Sequence, residues 1–318
     1  LDSGSSGVVD RSIWVDGAFG PWADATVHVM SHSHQRGSLV FDYMSVHDTP
    51  RGVSVFRMKE HVDRFFHSCE MMGLPVEQTP YVLCEAIRET VRANPGASAV
   101  KMSAYFASVE IDVVPVDTHV SVAIAAYDPK VDVAARLPLP SPKRARHLKL
   151  WIEKVRANRR DDIVSPQVKV SANYASPMTA KVRARANGYD EIILVDEDGH
   201  LAEGPTTNLF IVDHEGQLLT PQSEKVLHGV TRSAVMAIAK AEGIPIHEAQ
   251  IKPEALLDAA EAFLTGTTAG VWPVESVDGQ ALGEKCPGPI ATRLGERFLR
   301  ASAGEDPEFE HWLTPVED

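Results

Sequence analysis

The sequence predicts an α+β protein built from two domains. Its 318 residues suffice for two medium cores. Short β-rich runs are mixed with helical stretches rather than strictly alternating with them. Between the two halves, residues 128–146 (DPKVDVAARLPLPSPKRAR) combine four prolines with a basic cluster and show no sustained period, as a connection does. The predicted order is a flexible N-terminus over 1–11, a smaller α/β N-terminal domain over 12–127, the 128–146 connection, and a larger domain over 147–318.

The opening LDSGSSG, rich in Ser and Gly, is expected to be a flexible end outside the fold. From Ser12 onward SIWVDGAF, ATVHVM, LVFDYMSV and VSVFRM read as strands, and AVKMSAYFA and HVSVAIAAY read as two more. Between the two groups lie two helices. In the first, Val62, Phe65, Phe66, Cys69 and Met72 recur at helical spacing up to Gly73; the second begins at Thr79-Pro80, a capping residue followed by proline at the first helical position.

In the second half Ser176-Pro177 opens a helix that runs to Gly188. DEIILVD, LAEGPTTNLFIVD and QLLTP then read as strands joined by tight turns. GVTR precedes an amphipathic helix carrying Val235, Ile238 and Ala239 and closed by Gly243. PIHEAQI, PEALLDAAEAFL and GTTAGVWPVESVDG add strand and helix, and PIATRLGERFLRA is the closing helix. No repeat of solenoid length is present.

Composition excludes several classes. Acidic residues outnumber basic ones 44 to 31, a net charge of −13 that argues against binding a phosphate backbone, so no nucleic-acid partner is expected. No apolar run reaches bilayer length and the N-terminus carries no charged-then-apolar signal, so no membrane partner is expected. Cys69, Cys84 and Cys286 are odd in number and widely spaced, which suggests neither a disulfide framework nor a zinc site and fits a reducing cytoplasm. HSH at 32–34 reads as ordinary polar contacts and no metal is assigned. HExxH, GxSxG, the Walker loop and the dinucleotide fingerprint are all missing.

Four features could carry chemistry. GVTR leaves backbone N–H groups and the positive end of a helix dipole facing outward, which suits a phosphate, although most such starts only cap themselves. GTTAG at 266–270 offers two hydroxyls for the same anion, or simply a turn leaving a strand. In VKVSANYASPMTAK, Lys169 sits among small and hydroxyl-bearing residues where a desolvated amine can act as a nucleophile, whereas Lys181 lies in a helix beside Arg183 and Arg185 and reads as surface. Glu203 lies in a strand-like run and, if buried, needs a cationic or donor partner; the other reading is a hairpin-edge acid facing water.

Together and in this order, these stretches resemble the class IV aminotransferases, the fold type IV pyridoxal-phosphate enzymes, and within them the branched-chain amino acid aminotransferases. The resemblance runs through WVDGAFGPWADATVHV, VFRMKEHVDRFFHSCEMMGLP, KVSANY, GYDEIILVDEDGHLAEGPTTNLFIV, HGVTRSAVMAIAKAEGI and FLTGTTAGVWPVESVDG. It implies the two-domain, D-amino acid aminotransferase-like fold and pyridoxal 5′-phosphate as cofactor. Lys169 would hold the cofactor as a Schiff base and return as the proton carrier, Tyr174 would bond the phenolic oxygen, and Glu203 would face the ring nitrogen. Arg64, the N–H groups of Val230 and Thr231 and the Thr267 hydroxyl would take the phosphate. The implied partners are a small-molecule amino donor and a 2-oxo acid acceptor, in a homodimer.

The substrate side departs from the pattern. Where branched-chain enzymes show a YGxxxFEGIR-like segment, this chain reads RGSLVFDYMSV, with Arg36 in place of Tyr and Tyr43 and Ser45 in place of Gly and Arg. The altered pocket is expected to include Arg36, Phe41, Tyr43, Thr268 and Ala269, with Arg36 a candidate for the substrate carboxylate. FDYMSV is closer to the D-amino acid and (R)-amine transaminases, which stand as alternatives beside an aminodeoxychorismate-lyase-like enzyme. Glu110 and Asp112, in the loop after the next strand, are expected to face solvent.

Overall fold

The computed structural model describes residues 10–138 and 145–317, with backbone alone over 155–159. Residues 1–9 of the expected flexible end and 139–144 of the expected connection lie outside it. The chain divides into two compact units, one holding 1–143, 170–172 and 303–318, the other 144–169 and 173–302.

The first unit is a seven-stranded antiparallel sheet. Its strands are β1 (Ser12–Val15), β2 (Ala18–Pro21), β3 (Val40–Thr49), β4 (Gly52–Phe56), β5 (Ala99–Tyr105) and β6 (Ser121–Tyr127), with the C-terminal Leu313–Pro315 paired to β4 at one edge. A short helix α1 (His32–Arg36) precedes β3, and α2 (Met58–Met71) and α3 (Pro80–Arg92) cover β3 and β6. Alternation along β3 sends Val40, Asp42, Met44 and Val46 into the interior and leaves Phe41, Tyr43 and Ser45 half-buried on the other face. Thr79 caps α3 by accepting from the Val82 N–H, as its sequence position predicts. The expected strand ATVHVM does not form: after a turn at Trp22–Asp24 residues 25–30 do not pair as a strand, with a single bridge from Ser31 to Val109 just before α1, and Val27, Val29 and Met30 are exposed. Within the expected connection, Pro129–Val133 forms a helical turn whose first N–H groups, those of Lys130 and Val131, are held by the Asp128 carboxylate.

The second unit is a mixed sheet in the order β11-β10-β9-β12-β13-β7-β8. The strands are β7 (Leu148–Arg159), β8 (Glu191–Asp196), β9 (Asn208–Val212), β10 (Leu218–Pro221), β11 (Ile246–Ala249), β12 (Glu261–Gly266) and β13 (Gly270–Val277), with β14 (Gln280–Ala281) hairpinned onto β13. The helices are α4 (Ala175–Ala186), α5 (Val230–Ala241), α6 (Pro253–Leu257) and α7 (Pro289–Ser302). Strands β8 and β9 are buried along their whole length, the pattern of a sheet covered on both faces. Ile193, Leu209, Ile211 and Leu264 join one core cluster. Phe210 and Phe263, pointing the other way on their strands, stack with centroids 5.2 Å apart. The long strand β7 is missed from sequence because its run is interrupted by charged residues.

Candidate active site

Lys169 and Tyr174 are five residues apart, and a single 3₁₀ turn over Ser171–Tyr174, leading directly into α4, brings their side chains together. The Lys169 Nζ donates to the Tyr174 Oη at 3.0 Å, with the amine 5.7 Å from the ring centroid. Asn173 fixes the turn by donating from Nδ2 to the carbonyls of Ser165 (3.1 Å) and Val168 (3.0 Å). Both members of the pair are half-buried, reachable by a small molecule and partly screened from water.

Glu203 is 3% exposed, so the water-facing hairpin acid is excluded. Its Oε2 accepts from Asn208 Nδ2 at 3.0 Å and from the Leu227 N–H at 3.2 Å. Asn208 also donates to the Leu227 carbonyl, at 3.0 Å. It meets Gly229 so closely that a Cβ there would fall 1.9 Å from Asn208 Oδ1, which is why the residue before α5 has to be glycine. One asparagine therefore ties a buried carboxylate to the N-terminus of a twelve-residue helix. On the other side, Gln167 Nε2 donates to the Ser223 carbonyl and lies 3.3 Å from His228 Nε2, linking the Lys169 segment to the same helix start.

Val230 and Thr231 form the first turn of α5, both buried, with Gly229 extended ahead of them. Their N–H groups belong to the set that a helix cannot satisfy internally. The GTTAG turn closes by an Ala269 N–H to Gly266 carbonyl bond of 2.9 Å, with Thr267 and Ala269 half-buried and Thr268 exposed. Beside it the buried hydroxyls of Thr207 and Thr265 have no hydrogen-bond partner among the described residues.

The remaining expected residues belong to the first unit. Arg64, on α2, forms a two-pronged pair with Asp42: Nε to Oδ2 at 2.9 Å and Nη2 to Oδ1 at 2.8 Å. Arg36 is exposed at the end of α1, and its Nη2 donates to the Ile111 carbonyl at 2.7 Å. Phe41 lies under the Lys101 ammonium, 4.9 Å from Nζ to the ring centroid. Tyr43 is the cross-strand partner of Lys101. Lys101 also lines, with Trp22, Tyr105 and Tyr127, a cavity of 750 Å³ on that sheet face.

Other expectations change in detail. Glu110 does not face solvent freely but turns back on its own loop, accepting from the Ser108 hydroxyl and the N–H groups of Val116 and Asp117. Lys181 is no solvated surface charge; it is partly buried and paired at 2.5 Å with the buried Glu191. His32 engages both ring nitrogens, with the Ser38 hydroxyl and the Val113 carbonyl. Asp196, Asp198 and His200 bring oxygen and nitrogen atoms within 4.8 Å of one another, in a hairpin turn that the Asp196 carboxylate already caps.

The family model for amino-transferase class IV matches residues 39–277. The chain belongs to the class IV aminotransferases. Over 309 residues this class IV aminotransferase is 34% identical to the branched-chain-amino-acid aminotransferase of Escherichia coli strain K12, covering 96% of this chain and 97% of that one. Among solved structures it is similar to the T.th. branched-chain amino acid aminotransferase complexed with N-(5′-phosphopyridoxyl)-L-glutamate, with a TM-score of 0.88, 34% identity and coverage of 98% and 100% of the two chains. The branched-chain aminotransferase of Thermoproteus uzoniensis with norvaline gives a TM-score of 0.86 at 32% identity, covering 96% and 99%. The enzyme is thus a transaminase with the α+β, two-domain class IV fold.

Sequence reasoning about this aminotransferase passed over Asp42 and His61, the buried partners of Arg64, and gave Asn208 no role. For Asp42 a signal existed. In the alternating strand VFDYMSV it shares a face with Val40, Met44 and Val46, and a carboxylate on an apolar face requires a buried cation or donor.

Proposed function

We propose that this aminotransferase moves the amino group of a branched-chain amino acid to a 2-oxo acid, with Lys169 as the residue that carries the cofactor and then the proton. The cofactor is pyridoxal 5′-phosphate, and the residues in place suit it. Backbone N–H groups at the buried start of α5 and the Thr267 hydroxyl in the GTTAG turn are the kinds of donor that a phosphate takes. Among the described residues the buried hydroxyls of Thr207 and Thr265 have no partner, which marks a polar spot where a ligand group would be satisfied. When bound, the cofactor supplies an aldehyde carbon to carry the amino group and a ring that takes up the electron pair released at the substrate α-carbon.

The protein's own groups do the rest. Lys169 Nζ would hold the cofactor, and its neutral amine is placed to take a proton from the substrate α-carbon and to deliver it to the carbon that receives the amino group. Tyr174, 3.0 Å away, keeps that amine at one position through its hydroxyl. Glu203 would keep a proton on the ring nitrogen; it is buried, so a charge on it acts in a low dielectric, and the Asn208 and Leu227 donors fix its orientation. Val230, Thr231 and Thr267 would hold the phosphate, with Arg64 the further cation that the resemblance assigns to it. Arg36, Phe41, Tyr43, Thr268 and Ala269 contribute to the substrate pocket.

The same reading includes a homodimer in the cytoplasm. Supporting the dimer, the 108–117 loop turns Ile111 (88% exposed), Val113, Val114 and Val116 into solvent, as a surface that another chain covers would. Three free cysteines fit a reducing compartment.

The observation that carries the proposal is the Lys169–Tyr174 pair in a chain that aligns end to end with branched-chain enzymes. Borohydride reduction of the yellow holoenzyme followed by peptide mapping is expected to place the label on Lys169, and a label on another lysine overturns the assignment. A donor screen is expected to rank L-leucine above D-alanine and (R)-1-phenylethylamine; preference for either of the latter rejects the substrate while leaving the reaction class intact.

A further inference from the structure

Asp42 is an anomaly that the transaminase roles above leave unused. It is 0% exposed, sits mid-strand on the core face of β3, and is flanked on that face by Val40 and Met44. A carboxylate there is tolerated only if its partners offset the loss of water. Both partners come from one helix. His61 and Arg64 are three residues apart on α2, and so share a face. His61 Nδ1 donates to Asp42 Oδ1 at 2.7 Å, and Arg64 holds both carboxylate oxygens through Nε and Nη2. Burial pushes the carboxyl's pKa up, but the Arg64 and His61 charges and hydrogen bonds outweigh it, so Asp42 stays ionised far below the ordinary carboxylate range.

An arginine held by two bonds along one edge of its guanidinium cannot rotate about that edge, and its plane is fixed before any ligand arrives. A surface arginine, by contrast, would have to give up the freedom of several torsions to bind an anion. The imidazole, packed at 1% exposure against the same carboxylate, fixes the carboxylate in turn.

We infer that Asp42, braced by His61, is a positioning residue that pre-orients the Arg64 guanidinium for the phosphate of the cofactor. The inference rests on the reading of Arg64 as a phosphate ligand. It makes the buried carboxylate part of the cofactor site without contact to the cofactor, and it assigns a role to the Asp in FDYMSV and the His in HVDRF.

The test compares binding of pyridoxal 5′-phosphate and of pyridoxal, which lacks the phosphate, to the apoenzyme by visible absorbance titration, beside the thermal midpoint of each apo variant. Arg64→Met is expected to weaken the phosphorylated cofactor alone. Asp42→Asn is expected to weaken it by about tenfold while changing pyridoxal by less than about threefold, and to add nothing in the Arg64→Met background. His61→Ala, which leaves the carboxylate in place, is the second variant if Asp42→Asn does not fold; it is expected to shift the ratio of the two affinities by about threefold. Equal weakening of both ligands by Asp42→Asn, or no change in the ratio with either variant, overturns the inference and identifies Asp42 as a core ion pair only. If Arg64→Met itself leaves the ratio unchanged, the phosphate reading of Arg64 fails, and the positioning role with it.

Discussion

At Lys169 the chemistry depends on short range: a five-residue separation and one 3₁₀ turn set an amine 3.0 Å from a phenol oxygen. This proximity is encoded locally, which is why KVSANY is informative by itself. Glu203 is different, because its value depends on burial, and burial depends on Asn208 and Leu227 reaching it from a strand and a distant loop. Asn208 is accordingly the residue whose loss is expected to spread. Asn208→Ala removes donors to both the Glu203 carboxylate and the Leu227 carbonyl. In urea unfolding it should cost about 2 kcal/mol, since buried acceptors are left unpaired. A loss below about 0.5 kcal/mol, the ordinary effect of a surface change, would show that the link carries no weight. Asn208→Asp, which places a second carboxylate against Glu203, should be more damaging than the alanine.

Among the elements, strand β3 and helix α1 show how a two-residue period sorts function. One face of β3 delivers Asp42 to α2; the opposite face delivers Phe41 and Tyr43 to Lys101 on β5. Helix α1 ends at Arg36, whose guanidinium reaches the Ile111 carbonyl, while His32 at its start reaches the Val113 carbonyl. With the His32 N–H donating to the Ser108 carbonyl, the 108–117 loop is held at three backbone points from a single short helix and internally by Glu110. Arg36→Ala is expected to raise amide exchange at 111–117 by about tenfold, the loss of one charge-assisted bond at a low-stability segment. Exchange rates unchanged in that segment, together with a raised KM for amino acids, would instead favour the carboxylate-binding role.

At the scale of the whole molecule, burial gives the alkaline limb of stability a predictable sign. It pushes the Cys69 thiol up to about 12, and with Tyr43 nearby pushes the Tyr127 phenol up to about 12. Unfolded, these groups ionise near roughly 8.5 and 10. Above those values the unfolded chain binds fewer protons than the folded one, so the stability contributed by the neutral forms is complete below about pH 8.5 and is lost as pH rises toward 12. Urea midpoints should fall steadily from pH 8.5 upward, and Cys69→Ala should flatten part of that slope; parallel slopes for the two proteins would refute the contribution of the thiol.

The sequence by itself determined what is periodic or contiguous: the α+β class, the capped helix α3, the amphipathic helix α5, the alternation of β3, and the order of Lys169, Glu203, GVTR and GTTAG along the chain. These are properties of neighbours in sequence, and local sterics and hydrogen bonding impose them wherever the segment lies. Only tertiary structure decided which polar groups are dry and what they face. Arg64 was legible as a cation but not as the partner of Asp42, twenty-two residues away; Arg36 was legible as a replacement but not as a bond to Ile111. A strand expected at ATVHVM never found an edge to pair with. Burial and long-range pairing are collective outcomes of packing, and the electrostatic worth of a charge changes many-fold between water and the protein interior, so the residue letter alone leaves that worth undetermined.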